Sequence, residues 1–169
     1  MLDVSKSPEL QAAIYAMKSA DRGLRLGIYA TARERMVPLW VPELEKRAAT
    51  DFDRAVIVKG ARVSVGTEGF NVLAAQSGKA LAGGFVPNLQ WYADEFGARR
   101  HKVTFTQRSR KGTRYERTET VGRQLPGRVK DGRIGFASAS AIGTQLVGVW
   151  VVAIVDTYRE LPFASEPTA

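Results

Sequence analysis

Residues 134–155 read IGFASASAIGTQLVGVWVVAIV, 22 positions without a formal charge. Ile142, Leu146, Val149 and Val152 or Ala153 fall on one face at helical spacing. Val147, Trp150, Val151 and Ile154 make the second half apolar nearly all round, so the helix must be covered on more than one side. The run is long enough to span a bilayer. Ser138, Ser140, Thr144 and Gln145 dilute its first half, however, and the dense part is only Leu146 to Val155. The reading is therefore a buried helix from about Phe136 to Glu160 and no membrane partner. Leu146, Trp150 and Ile154 are its expected core or oligomer positions.

What can cover that helix is bounded by length. A chain of 169 residues holds one domain, 1–169, rather than two. Upstream, Ser7-Pro8-Glu9 is a helix start with an N-cap and a proline at the first position. Apolar residues recur from Leu10 to Met36, with a kink expected near Asp21-Arg22-Gly23. Pro38 should end or bend this helix, and Pro42 should open a short second one. Ala55-Val56-Ile57-Val58, Ala61 to Val65 and Phe70 to Ala75 read as three strands of an antiparallel meander, followed by a glycine-rich loop and a short helix from Asn88 to Glu95. The expected class is α+β, with the last helix packed on a small meander and its other side needing a neighbouring subunit. Residues 162–169 read as a loose tail.

Between those parts lies one unusual segment. Residues 99–133 carry twelve Lys/Arg against three Asp/Glu, a net +9, whereas the whole chain carries +8. A near-neutral body thus bears one basic arm. His101 to Thr106 alternates, as does Arg114 to Val121, so the arm is a projecting β-hairpin with Lys102, Arg108, Arg110, Lys111, Arg114 and Arg117 as candidate contact residues. Three readings stand: a solvated hairpin, contact with nucleic-acid phosphates, or docking on an acidic protein surface. Trp40, Trp91 and Trp150 are spread over three elements and read as core or interface anchors.

Enzymatic chemistry finds little support. With no cysteine and a single histidine, His101, thiolate sites and multi-histidine metal sites are excluded. His101 itself reads as a solvated strand residue. Gly78-Lys79-Ala80 lacks the glycine and the Ser/Thr of a phosphate-binding loop. Asp51 and Asp53 precede Val56-Ile57-Val58-Lys59 as in a metal-dependent nuclease, but the strand carboxylate would fall at Ile57. Asp94 and Glu95 are adjacent and do not face one another on a helix, which points to a surface or cap role. No catalytic residue, metal or cofactor is expected. Met1 to Lys6 has neither the basic nor the apolar region of a signal peptide.

The order of parts carries a resemblance. A long Ala/Arg-rich helix pattern, a meander, Trp91-Tyr92-Ala93-Asp94-Glu95-Phe96-Gly97-Ala98, and an Ala-rich last helix opening with Phe136-Ala137-Ser138-Ala139 follow one another. This arrangement, over Leu10 to Leu161, is similar to the neck and tail-completion proteins of long-tailed bacteriophages, the tail-component family, in which a tyrosine and Glu-Phe-Gly precede the last helix. The resemblance implies a non-enzymatic virion protein at the head–tail neck. It implies a ring of six or twelve copies between the head-closure and tail-tube proteins, through which genomic DNA passes, with assembly in the host cytoplasm. Tyr92, Glu95, Phe96 and Gly97 would then form a structural corner where the sheet meets the arm. The basic stretch between Gly97 and Phe136 is longer than that family suggests. A nucleic-acid-binding module using residues 99–133 is the alternative.

Overall fold

The computed structural model describes residues 7–122 and 125–160. It is an α+β chain, about 53% helical and 18% strand. Helices α1 (Pro8–Ser19) and α2 (Arg22–Arg47) are followed by a short α3 (Asp51–Asp53) that runs into a π-helical turn, Arg54–Val58. Strands β1 (Arg62–Gly66) and β2 (Gly69–Leu73), helix α4 (Pro87–Glu95), strands β3 (His101–Arg108) and β4 (Arg114–Val121) and helix α5 (Gly135–Arg159) complete it. The expected loose tail, 162–169, and the first six residues lie outside the described residues.

The core is built by α2 and α5 lying against each other, with α1 and β1 beside them. Ile28, Ala32, Met36, Trp40 and Leu44 recur every fourth residue along α2 and are buried. They meet Leu146, Trp150, Ala153 and Ile154 from α5. The Trp40 indole donates to the Leu73 carbonyl at 3.1 Å, and the Phe70 and Trp150 rings stand 6.3 Å apart. At the far end, the Tyr158 hydroxyl donates to the Ala16 carbonyl at 2.6 Å and Arg35 pairs with Asp156 at 2.7 Å.

Four expectations are corrected. The first helix is not one kinked element: it ends at Ser19, and the Asp21 side chain accepts from the Leu24 amide at 2.8 Å to start α2 afresh. Conversely, α2 does not stop at Pro38 or restart at Pro42. Both prolines sit on its exposed side, where the carbonyls they leave unpaired face water, while the buried stripe holds the helix straight through them. Residues 55–58 are not a strand. Thr50 and Asp53 form a reciprocal cap immediately upstream, with the Asp53 amide donating to Thr50 Oγ1 at 3.1 Å and the Thr50 amide to Asp53 Oδ2 at 2.9 Å. That cap nucleates helical backbone, and burial of Val56 and Ile57 overrides their β preference. The meander is therefore a two-stranded hairpin, and α5 packs mainly on α2 rather than on a sheet.

Since Pro38 sits inside a continuous helix, Pro38→Ala should raise stability by about 1 kcal/mol or more in a chemical denaturation series. A helix that truly ended at Pro38 would give no gain.

Candidate functional site

The start of α5 has no local cap: Ile134 stands at the N-cap position and offers no side-chain acceptor. The acceptor comes instead from the last residue of α4. The Glu95 carboxylate takes the amides of Gly135 at 2.9 Å and Phe136 at 3.0 Å, and shares that of Ile134 between its oxygens at 3.1 and 3.2 Å. These are three of the donors that a helix N-terminus leaves open, and a negative group there also complements the helix dipole. Glu95 is 1% exposed. Room for it depends on Gly132, whose backbone has φ +77°; a Cβ there would lie 2.5 Å from Glu95 Oε1.

Around this lock the chain closes the base of the arm. The Arg133 amide donates to the Glu95 carbonyl at 3.0 Å, the Val129 amide to Phe96 at 2.8 Å and the Ala98 amide to Pro126 at 2.9 Å. Gly97 makes the turn at φ +70°, and a Cβ on it would fall on the Gly127 carbonyl. The rings of Trp91, Phe96 and Phe136 cluster with centroids 5.4 to 6.2 Å apart. Glu95, Phe96 and Gly97 thus meet where α4, the arm and α5 join, and no strand of either sheet forms this corner. Tyr92 points away from it and is 57% exposed.

A second charged contact ties α3 to the same place. Arg133 reaches Asp53 at 2.7 Å, Asp94 at 3.3 Å and the Asp94 carbonyl at 3.2 Å. Asp53 and Asp94 are both buried, so one cation faces two carboxyls. Burial pushes the Asp94 carboxyl up, the charge and hydrogen bond of Asp53 push it further, and Arg133 only partly offsets them, leaving it at about 7. Burial also acts to raise Asp53, but its hydrogen bonds to Thr50 and Arg133 outweigh this and hold it below its ordinary value. The pair therefore holds a proton on Asp94 beside an ionised Asp53.

The arm leaves the body as a regular ribbon. All eight residues of β3 pair antiparallel with β4, from His101↔Val121 to Arg108↔Arg114. Every strand residue but Gln107 is exposed. Among the described residues Lys102, Arg108, Arg110, Lys111 and Arg114 make no ion pair, whereas Arg117 pairs with Glu119 and bonds Gln107. His101 is exposed, as its setting suggested.

Two further surfaces complete the inventory. On α5, Leu146, Trp150 and Ile154 are buried within the chain itself, whereas Ala141, Thr144, Gln145, Gly148, Val152 and Val155 form an exposed stripe. By length and composition α5 could cross a membrane, and 28% of its most apolar window is buried. A largely apolar cavity of about 300 Å³ lies between Trp40, Leu73, Trp91, Glu95, Phe136 and Ala139. Among the described residues no cluster of three or more His/Asp/Glu is placed to hold a metal ion.

The Glu95 cap was legible only in part. The sequence pointed to a cap role for the Asp94–Glu95 pair without saying which helix is capped, and the surface role weighed beside it does not fit two buried side chains. The signal that could have found the partner is the missing capping residue before Gly135. A scan of protein-family models, a search of curated proteins and a search of solved structures give no significant match for this chain.

Glu95→Ala should cost about 3 kcal/mol, and Glu95→Gln roughly half of that, because the amide oxygen keeps some of the bonds. Thermal melts should accordingly drop by about 6–12 °C for the alanine variant. A pH effect follows from Asp94. Its folded pKa lies above its unfolded one, so the folded chain binds the extra proton between about pH 4 and 7, and stability falls as pH rises through that window. Asp53 works the other way, stabilising above its ordinary pKa and losing this as pH falls through its depressed one. Denaturation midpoints should therefore decline from pH 5 to pH 8 in the native chain and stay flat in Asp94→Asn.

Proposed function

We propose that this chain is a non-enzymatic subunit of the bacteriophage head–tail junction, one copy of a ring of about six or twelve that joins the DNA-filled head to the tail tube. The observation that carries the reading is the division of the molecule into a locked body and two unpartnered surfaces. One is the exposed stripe on α5, Ala141 through Val155; the other is a ribbon whose residues touch little but each other. A ring subunit needs a flat helix face and an arm that reaches its neighbour, and these two surfaces supply both. The Glu95-Phe96-Gly97 segment supports it in the same way. Its carboxylate and its glycine fix the direction in which the arm leaves the body.

On this reading the partners are other copies of the chain, a head-closure protein and a tail-tube protein, with genomic DNA in the lumen. The site of action is the virion neck, after assembly in the host cytoplasm.

Light scattering on the purified protein in detergent-free buffer should give a mass of about six or twelve chains, either alone or on addition of its docking ring. Deletion of residues 108–114 should leave the body folded by circular dichroism and block the joining of heads to tails. Normal particles from that deletion would refute the role given to the arm, and a protein soluble only in detergent would favour a membrane helix at α5.

A further inference from the structure

The register of the ribbon sorts its side chains, because residues directly opposite in an antiparallel pair share a face. One face carries Val103, Phe105, Tyr115 and Val121, 37–47% exposed, together with His101, Gln107 and the internally paired Arg117 and Glu119. The other carries Lys102, Thr104, Thr106 and Arg108 against Thr120, Thr118, Glu116 and Arg114. The turn adds Arg110 and Lys111. This second face with its tip therefore holds five unpaired cations and one carboxylate.

Its arrangement is unfavourable in the free protein. Arg108 and Arg114 stand directly opposite each other, and like charges in that position destabilise a ribbon. Arg110 and Lys111 lie within the same turn, and no carboxylate pairs with any of the four among the described residues. An anion placed there would turn repulsion into attraction. Four of the cations, Arg108, Arg110, Lys111 and Arg114, cluster at the tip, and Lys102 stands about 20 Å back along the strand from Arg108, at ~3.4 Å per residue. A compact anion could meet the tip cluster alone, whereas a linear polyanion also reaches Lys102. Besides its guanidinium and ammonium groups the face carries four threonine hydroxyls, of which Thr104 and Thr118 bond each other at 2.8 Å; cations and hydroxyls are the groups that bind phosphate oxygens. A two-stranded ribbon also has the width to enter the major groove of B-form DNA, about 12 Å across.

We infer that the Lys102/Arg108/Arg114 face of the ribbon, with Arg110 and Lys111, binds the phosphate backbone of double-stranded DNA without reading its sequence. The choice of duplex DNA rests on the ring reading; the polyanion preference rests on the ribbon alone. The opposite face, apolar and neutral, does not touch the duplex.

The test is fluorescence anisotropy of the full chain with a labelled 30-base-pair duplex from 50 to 300 mM salt. The affinity should fall steeply with salt, the logarithmic slope being about −4 for four to five phosphates. Arg108→Gln/Arg110→Gln/Lys111→Gln/Arg114→Gln should bind at least 100-fold more weakly at 50 mM salt and lose most of the slope. Glu116→Gln should bind several-fold more tightly, a gain that unfolding cannot produce. Phe105→Ser/Tyr115→Ser, on the other face, should bind as the native chain does. Absence of binding at 50 mM salt, or equal binding of poly-glutamate at matched charge, would overturn the inference, the latter in favour of an acidic protein. So would tighter binding of a single strand that Phe105→Ser/Tyr115→Ser abolishes. A chain that forms rings and needs residues 108–114 for joining, yet ignores duplex DNA, overturns this inference alone. One that binds duplex but never assembles overturns the ring reading alone.

Discussion

A single buried carboxylate ties the end of α4 to the start of α5. Glu95 closes the N-terminus of α5 from a position forty residues upstream of that helix, and it does so from the end of α4. Four groups converge on the space it occupies: the turn at Gly132, the amides of residues 134–136, the Phe136 ring and the Arg133 backbone. Without the carboxylate, α5 would begin with three open amides, of which that of the buried Ile134 would cost the most, about 1–3 kcal/mol. The geometry of the arm follows from the same place, since its returning stem is bonded at Pro126, Val129 and Arg133 to Ala98, Phe96 and Glu95, all within three residues of that carboxylate.

The sequence was readable wherever a local rule decided the outcome. The hairpin 101–121 emerged from strict alternation around a turn, and α5 from an uncharged run too long for a strand. Local rules misled wherever two of them competed. Pro38 and Pro42 would break an isolated helix, yet the stripe from Ile28 to Leu44 buries enough apolar surface to carry α2 across both. Val56-Ile57-Val58 has strand composition, but the Thr50–Asp53 cap sits directly before it, and starting a helix is the costly step that a cap makes easier. At the candidate site, Glu95 was visible as a residue and hidden as an interaction, because nothing in a sequence measures a contact across forty positions. The sorting of the arm into an apolar and a basic face was present in the alternation from the start, but it required the register between the strands, which one strand alone does not fix.

Buried charge and exposed charge are used differently in this molecule. Around Arg133 the cation meets two buried carboxyls, and the raised pKa of Asp94 favours its neutral form, so excess negative charge is relieved. On the ribbon the reverse holds. Arg108 faces Arg114 with no relief, in full contact with water, where screening keeps the penalty small. The first arrangement stabilises a fixed shape. The second leaves free energy to be gained only on meeting an anion.

The dimensions of the two unpartnered surfaces bear on how such subunits would associate. The exposed stripe of α5 from Ala141 to Val155 is about 21 Å long and about 10 Å wide, so it offers roughly 210 Å². One face of the ribbon, at about 27 Å by 10 Å, offers roughly 270 Å². A stable association generally buries about 800 Å² per partner. Neither surface reaches that alone, and together they offer about 480 Å², so both must be used along with further contacts from the body. On the ring reading, the apolar face of the ribbon and the α5 stripe would both be covered by neighbouring copies, leaving the basic face turned to the lumen. Closure would then depend on the arm being seated, and an arm held off its neighbour by its own uncompensated charge would seat best once the duplex is present to neutralise it.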